Sequence, residues 1–175
     1  VVLERGNAGR PDPATVPAAP KGKTFVMFSD DLDRALATFV MANGAAATGQ
    51  HVTIFFTFWG LNVIKKERKP RVAKDLMGRM FGWMMPSSSR TLPLSKMNML
   101  GLGWRMMRQR MKDKRVDSLE AMRSEALRQG VEFIACQMSM DVMGVGREEL
   151  LDEVTLGGVA TYMERADKAN VNLFI

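Results

Sequence analysis

Short, continuous apolar runs alternate along the chain with stretches in which apolar residues repeat every three or four positions. The runs at 24–28 and 52–59 are rich in β-branched and aromatic residues, which is typical of strands buried on both faces of a sheet. Between them, the spacing of Leu32, Leu36 and Phe39 predicts a helix. Strand, helix and strand in this order predict a right-handed parallel βαβ unit.

The same alternation resumes in the last third of the chain. Asp117-Ser118-Leu119-Glu120 resembles a capping box and predicts a helix that ends at Gly130. The pattern then predicts a strand at 131–136, a short helix at 137–144, a helical turn at 147–151, a strand at 154–156, a helix to about 168 and a strand at 171–175. These elements predict an α/β fold, a three-layer sandwich with a mostly parallel sheet of about five strands.

Two segments interrupt the alternation and define the domain organisation. Residues 1–22 hold most of the prolines and have little periodicity, so we expect a disordered tail or a linker. Residues 23–175 form the expected domain, with an insertion at about 65–115. The chain does not begin with Met, which leaves open a processed product or a fragment of a longer multidomain protein.

The insertion differs from the rest of the chain in charge and composition. It holds fifteen Lys and Arg against three acids, and nine of the sixteen Met. Three interpretations remain open: a Met-lined core or oligomer interface, a surface that binds a membrane or a partner protein, and a solvated charge run. We expect 97–111 to lie in the interface of a homo-oligomer, near the carboxyl edge of the sheet. Nucleic acid is not expected, because aromatic residues are few and the remainder is acidic.

The counts of metal-binding residues and the apolar run lengths exclude several classes of protein. One Cys and one His exclude an internal disulfide framework, a Cys-clustered zinc or iron–sulfur site and a multi-His site, so no metal or cofactor is expected. No apolar run is long enough to span a bilayer, and no signal peptide is visible. A cytoplasmic protein is therefore expected.

Candidate chemistry lies where the predicted strands end, because ligands of open parallel sheets bind outside the carboxyl ends of the strands. Cys136 ends one strand and begins a helix, whose unpaired N–H groups and dipole favour a thiolate. His51 begins a strand and so lies far from this edge. The aspartates after the first strand are more easily explained by helix capping than by catalysis. The residues expected to line a pocket around Cys136 are Ser29, Asp30, Thr57, Phe58, Trp59, Gly60, Gln137 and Met138.

The sequence around Cys136 also resembles a known family. Residues 135–141 read Ala-Cys-Gln-Met-Ser-Met-Asp, and Gly144-Val145 and Glu148-Glu149-Leu150-Leu151 follow. With the Met-rich stretch 92–99, the layout from 23 to 175 resembles the DsrE/DsrF-like sulfur-carrier proteins. It is most similar to a peroxiredoxin-like branch, whose members occur alone or fused to coenzyme A disulfide reductase and rhodanese-like modules. The long basic insertion departs from the small sulfur-relay members, so their hexameric assembly does not transfer.

The resemblance implies that Cys136 carries a persulfide. The first hypothesis is therefore a sulfurtransferase-like carrier that takes sulfur from a sulfane-sulfur donor and passes it to a thiol of an acceptor protein. It leaves open whether turnover is catalytic. The first alternative is a non-catalytic module that docks on a partner or membrane through the insertion. The second is a redox enzyme that reduces a small disulfide with a second thiol from another protein.

Overall fold

The computed structural model describes residues 22–67, 86, 88–96 and 102–175. Within these residues the chain forms five strands, β1 (Gly22–Met27), β2 (Val52–Phe56), β3 (Glu132–Cys136), β4 (Thr155–Gly157) and β5 (Ala169–Phe174). The α-helices are α1 (Leu32–Ala47), α2 (Gly103–Asp113), α3 (Leu119–Arg128), α4 (Gln137–Met143) and α5 (Val159–Asp167). Single 3-10 turns or short 3-10 helices lie at Phe58–Ile64, Ser89–Thr91 and Arg147–Glu149.

The five strands form one parallel sheet in the order β4-β3-β2-β1-β5. The steps from β1 to β4 all move in one direction, whereas the step from β4 to β5 returns across three strands. Since crossovers between parallel strands are right-handed, the first three connections lie on one face and α5 lies on the other. The predicted three-layer α/β fold is confirmed.

The first face of the sheet carries most of the core. Its inward side chains pack under α1, α3 and α4 in a cluster of twenty-three buried residues among those described. Phe133 lies at its centre, with ring centroids 5.8 Å from Phe39 of α1 and 5.3 Å from Phe56 of β2. Fully burying a side chain of this size contributes about 1.5–3 kcal/mol.

The second face is covered much less. Its buried cluster contains Val26, Phe55, Ile134 and Cys136, against which Tyr162 of α5 packs. No residue of α5 is itself buried. A nine-residue helix is about 13.5 Å long. Four strand spacings of about 4.8 Å separate β4 from β5, so α5 covers only part of this face.

The second strand ends earlier than the apolar run predicts. We expected it to continue to residue 59, but β2 ends at Phe56 and the chain enters a 3-10 helix. Phe58 adopts a left-handed backbone conformation, with φ of +47°. Gly60 lies so close to β1 that a Cβ atom there would overlap the carbonyl oxygen of Met27. The close approach of two chain segments thus ends the strand, and hydrophobicity alone does not encode it. The ends of β1, β3, β4 and β5 also differ from their predicted ends by one or two residues.

Part of the basic insertion belongs to the described residues. Lys65 forms an antiparallel bridge with Leu150, and α2 lies near the start of α3. Within the range expected to form a subunit interface, Leu102 and Met106 are exposed in this chain, whereas Met111 is buried. The tail expected at 1–22, apart from Gly22, and the stretches 68–85 and 97–101 lie outside the described residues.

Among the helices that the structure describes, none combines the length and the apolar character needed to cross a bilayer.

Candidate functional site at the carboxyl edge of the sheet

The loops after β1 and β2 are tied together at the carboxyl edge of the sheet. The Thr57 amide donates to the carbonyl oxygen of Met27 at 3.1 Å, and the Gly60 amide donates to that of Phe28 at 2.8 Å. β3 ends at the same edge with Cys136. The fold therefore brings the segments that follow β1, β2 and β3 to one edge, as expected from the parallel strands.

Cys136 is a free, buried cysteine, and 1% of its surface is exposed. It is the last residue of β3 and the N-cap of α4. Its sulfur accepts no hydrogen bond from the first turn of α4 in this conformation. Backbone N–H groups of that turn nevertheless lie next to the residue, and they favour negative charge. The expected preference for a thiolate stays a prediction.

The start of α5 lies close to this cysteine. Cys136 pairs in register with Gly157, the last residue of β4. Because Gly157 has no side chain, α5 approaches it directly: a Cβ atom there would lie 3.3 Å from Cβ of Thr161 and 2.8 Å from Cγ2 of Ile134. The first turn of α5 is therefore packed on the end of β4, next to the thiol-bearing end of β3.

A buried pair of hydroxyls connects β2 to the helix that follows Cys136. Oγ1 of Thr57 and Oγ of Ser139 lie 2.8 Å apart, and both residues are buried. Thr57 is among the predicted pocket residues, whereas Ser139 is not. The signal for Ser139 is its spacing: three residues after Cys136 is one turn along α4, which brings the hydroxyl back toward the sheet.

Asp30 is held by a residue that the sequence does not mark as functional. Nδ2 of Asn62 donates to Oδ2 of Asp30 at 2.9 Å. Burial raises the pKa of Asp30 above its ordinary value, although the hydrogen bond from Asn62 opposes the shift. Asn62 is fully buried, and its Oδ1 has no hydrogen-bond partner among the described residues. The sequence signal that could have identified Asn62 is its amide side chain within the otherwise apolar run 61–64.

Ser29 and Asp31 interact with each other beside Asp30. Oγ of Ser29 donates to Oδ2 of Asp31 at 2.7 Å, and the Asp31 amide donates to Oγ of Ser29 at 3.0 Å. Asp31 is the N-cap residue of α1, but its side chain makes no capping hydrogen bond. The expected capping by a side chain is therefore wrong, because the carboxylate is engaged by Ser29 and, at 3.2 Å, by Nε of Arg34.

The remaining predicted pocket residues differ in exposure: Gly60 is buried, Phe58 is half-buried, and the other three are exposed. Phe28 contacts Phe58 and Phe174, with ring centroids 5.4 Å and 5.7 Å apart. Trp59 and Gln137 are exposed at the same edge, and Met138 is 51% exposed. The structure thus brings the predicted residues to one edge but buries the sulfur of Cys136 below them.

His51 lies at the opposite, amino edge, as its position before β2 predicts. There it lines a cavity of about 380 Å³ together with Lys23, Glu132 and Arg165. Within the described part of the chain, no group of three or more His, Cys, Asp or Glu side chains is arranged to hold a metal ion.

The fold and site define a class: a three-layer α/β protein with a parallel sheet and a cysteine at its carboxyl edge. A profile of the family described as DsrE/DsrF/DrsH-like matches residues 20–174. The chain belongs to this family.

Two relatives align over nearly their full length. The chain is 45% identical over 155 residues to the uncharacterized protein YrkE of Bacillus subtilis, covering 89% of this chain and 97% of YrkE. It is 36% identical over 159 residues to the sulfur carrier protein DsrE2 of Allochromatium vinosum, covering 89% of this chain and 98% of DsrE2. The predicted family resemblance is confirmed.

Two solved structures share the fold at low sequence identity. The ychN protein from E. coli superposes with a TM-score of 0.56 and 11% identity. MTH1491 from Methanobacterium thermoautotrophicum superposes with a TM-score of 0.55 and 16% identity. Each alignment covers 89% of this chain and 99% of the other.

Proposed function

We propose that this protein is a sulfur carrier in which Cys136 bears the transferred sulfur as a persulfide. The observation that carries the proposal is the position of Cys136 at the end of β3 and the start of α4, in a chain 36% identical to a protein named as a sulfur carrier. The residues proposed to surround the sulfur during transfer are Ser29, Asp30, Thr57, Phe58, Trp59, Gly60, Gln137 and Met138.

The chemistry needs two thiolate displacements. The Cys136 thiolate attacks the sulfane sulfur of a donor, a new S–S bond forms, and the donor's own thiolate or sulfite-like group leaves with the electron pair of the broken bond. The thiolate of an acceptor protein then attacks the outer sulfur of the persulfide. Cys136 leaves as a thiolate, so the cycle consumes no external oxidant or reductant.

Sulfur transfer through Cys136 requires that its covered thiol become accessible. The residues through which α5 contacts this face are not buried. Tyr162 stacks on Phe55 at 5.2 Å between ring centroids, and its hydroxyl lies 3.4 Å from Oγ1 of Thr24. Arg165 pairs with Glu132 through two contacts of 2.9 and 3.1 Å. Segments with few buried contacts open at lower free-energy cost than the whole domain, so we include an outward movement of α5 in the proposed function.

Intact-mass measurement after incubation with inorganic polysulfide tests the proposal. We expect the protein to gain one sulfur atom that dithiothreitol removes, and the Cys136→Ser variant to gain none. A control variant, Ser124→Ala, changes an exposed hydroxyl on α3 and should load as the native protein does. A native protein that stays unmodified would count against the sulfur-carrier function.

The alternative, a docking module, is favoured by one observation. α2 is strongly basic, yet it exposes Met106 at 64%, and Leu102 at its start is 55% exposed. Cationic and apolar side chains on one surface suit a partner protein or a membrane. Absence of sulfur loading together with sedimentation on anionic vesicles would support this alternative over sulfur transfer.

A further inference from the structure

A second cavity lies on α2, apart from the carboxyl-edge residues described above. Its volume is about 530 Å³, and α2, the start of α3 and the chain around the 3-10 turn Ser89–Thr91 enclose it. Four cationic side chains line it against a single carboxylate, that of Glu120. The cations are Arg90, Arg105, Arg108 and Lys112.

Two of these four cations are already neutralised. Arg108 donates to both carboxylate oxygens of Glu120, at 2.9 and 3.1 Å. Burial alone would raise the pKa of Glu120, but the hydrogen bond from Arg108 holds it below its ordinary value, so the carboxylate is charged at neutral pH. Arg90 pairs with Glu67 at 2.6 Å. These contacts leave Arg105 and Lys112.

Arg105 and Lys112 carry the uncompensated charge. Neither forms an ion pair with any residue in the described ranges. The guanidinium carbon of Arg105 lies 5.3 Å from the ring centroid of Trp104, a cation–π contact that restricts its side chain. Among the described residues, the lining of the cavity therefore carries two positive charges that no ion pair neutralises.

A further unpaired donor points to a missing partner. Nε of Arg108 is buried and has no hydrogen-bond partner among the described residues. Leaving a buried donor without a partner destabilises the fold. An anionic ligand in the cavity would supply an acceptor for this group, and the surrounding charge favours an anion.

The spacing of the cations indicates the size of the anion. Arg105, Arg108 and Lys112 follow each other by three and four residues, so they lie along one stripe of α2. Arg105 and Lys112 are two turns apart, about 10.5 Å along the axis. One phosphate group is too small to bridge this distance without bending both side chains inward, whereas linked phosphates extend further along the stripe.

We propose that this cavity binds a small polyanion of the polyphosphate class. Arginine suits such a ligand, because its planar guanidinium binds two phosphate oxygens at once. Neither displacement step of the proposed sulfur transfer uses this site, so binding and sulfur loading are separable properties.

Calorimetric titration of the full chain with inorganic pyrophosphate, at low salt, tests the proposal. The double variant Arg105→Gln/Lys112→Gln should lower the affinity at least tenfold. The matched control is Arg110→Gln/Lys114→Gln, which removes the same charge from exposed positions outside the cavity. It should change the affinity less than twofold, and orthophosphate should bind more weakly than pyrophosphate.

Equal losses in the two double variants would overturn the proposal, because they would show attraction by diffuse surface charge. Absence of binding at millimolar pyrophosphate would overturn it as well. Should the cavity variant fold poorly, the native protein still supplies a test: pyrophosphate must raise its melting temperature and that of the control variant. If pyrophosphate raised the melting temperature of neither protein, this result would contradict the site.

Discussion

The two faces of the sheet differ in how firmly they are covered. On the first face, Phe133 belongs to a cluster of twenty-three buried residues among those described, under three helices. On the second face, four buried residues meet one aromatic ring of α5, a helix that buries none of its own residues. The thiol lies on the second face. The chain thus places the sulfur of its single cysteine on the face whose buried cluster is the smaller of the two.

Truncation on the first face should have the largest effect on stability. We expect Phe133→Ala to lower the free energy of unfolding by about 3–5 kcal/mol, because it leaves a cavity between α1 and the sheet. Urea denaturation followed by circular dichroism measures this. If Phe133→Ala lowered the free energy of unfolding less than Tyr162→Ala on the second face, the difference between the two faces would be contradicted.

Loss of the Tyr162 ring should affect the second face selectively. We expect Tyr162→Ala to lower the free energy of unfolding by about 1–2 kcal/mol, less than Phe133→Ala, since the ring is only partly buried. It should also raise the rate at which iodoacetamide alkylates Cys136 by about tenfold, the factor that 1.4 kcal/mol represents.

The control for this experiment is Tyr162→Phe, which keeps the ring on Phe55 and removes only the hydroxyl near Thr24. Its alkylation rate should stay close to the native rate. In the native protein and in Tyr162→Phe, low urea concentrations should change the alkylation rate of Cys136 only slightly, because local opening exposes little surface. A urea dependence as steep as that of global unfolding would rule out a movement of α5.

The ion pair that fixes α5 to β3 should give the smallest effect, and one that depends on pH. The hydrogen bond from Arg165 lowers the pKa of Glu132 below its ordinary value. A carboxylate with a lowered pKa stabilises the fold above its unfolded-state pKa, and this contribution is lost as the pH falls through the folded-state value.

We therefore expect Arg165→Gln to be less stable than the native protein at pH 7 by at most about 1 kcal/mol, since the pair is partly exposed. The difference should shrink as the pH falls below the ordinary range for glutamate. Thermal unfolding at several pH values measures it. Arg128→Gln, which breaks an exposed pair with Glu125 on α3, is the control, and an equal pH-dependent loss there would contradict a specific role for Arg165.

Much of the fold could be predicted from the sequence because local patterns encode it. The apolar runs and the three- and four-residue spacings predict the parallel elements, and the end of the 131–136 run places Cys136 at the carboxyl edge. The order of the strands could not be predicted in this way, because no periodicity in the sequence shows that β5 pairs with β1. That order sends α5 over the second face, whose buried cluster contains Cys136.

The candidate site could be predicted only in part, for a similar reason. The loops were correctly assigned to one edge, but the contact between Asn62 and Asp30 and the pair formed by Thr57 and Ser139 depend on a 3-10 helix that follows an early strand end. That end results from the approach of Gly60 to β1. Such approaches arise from tertiary packing and leave no regular signal in the sequence.

The most direct test of the central claim is the rate of sulfur loading, followed by intact-mass measurement under native conditions with inorganic polysulfide. Native protein, Tyr162→Ala and Cys136→Ser are compared in parallel. We predict one added sulfur per chain in the first two, faster in Tyr162→Ala, and none in Cys136→Ser. Equal loading of Cys136→Ser, or no loading of the native protein, would contradict a sulfur carrier that acts through this thiol.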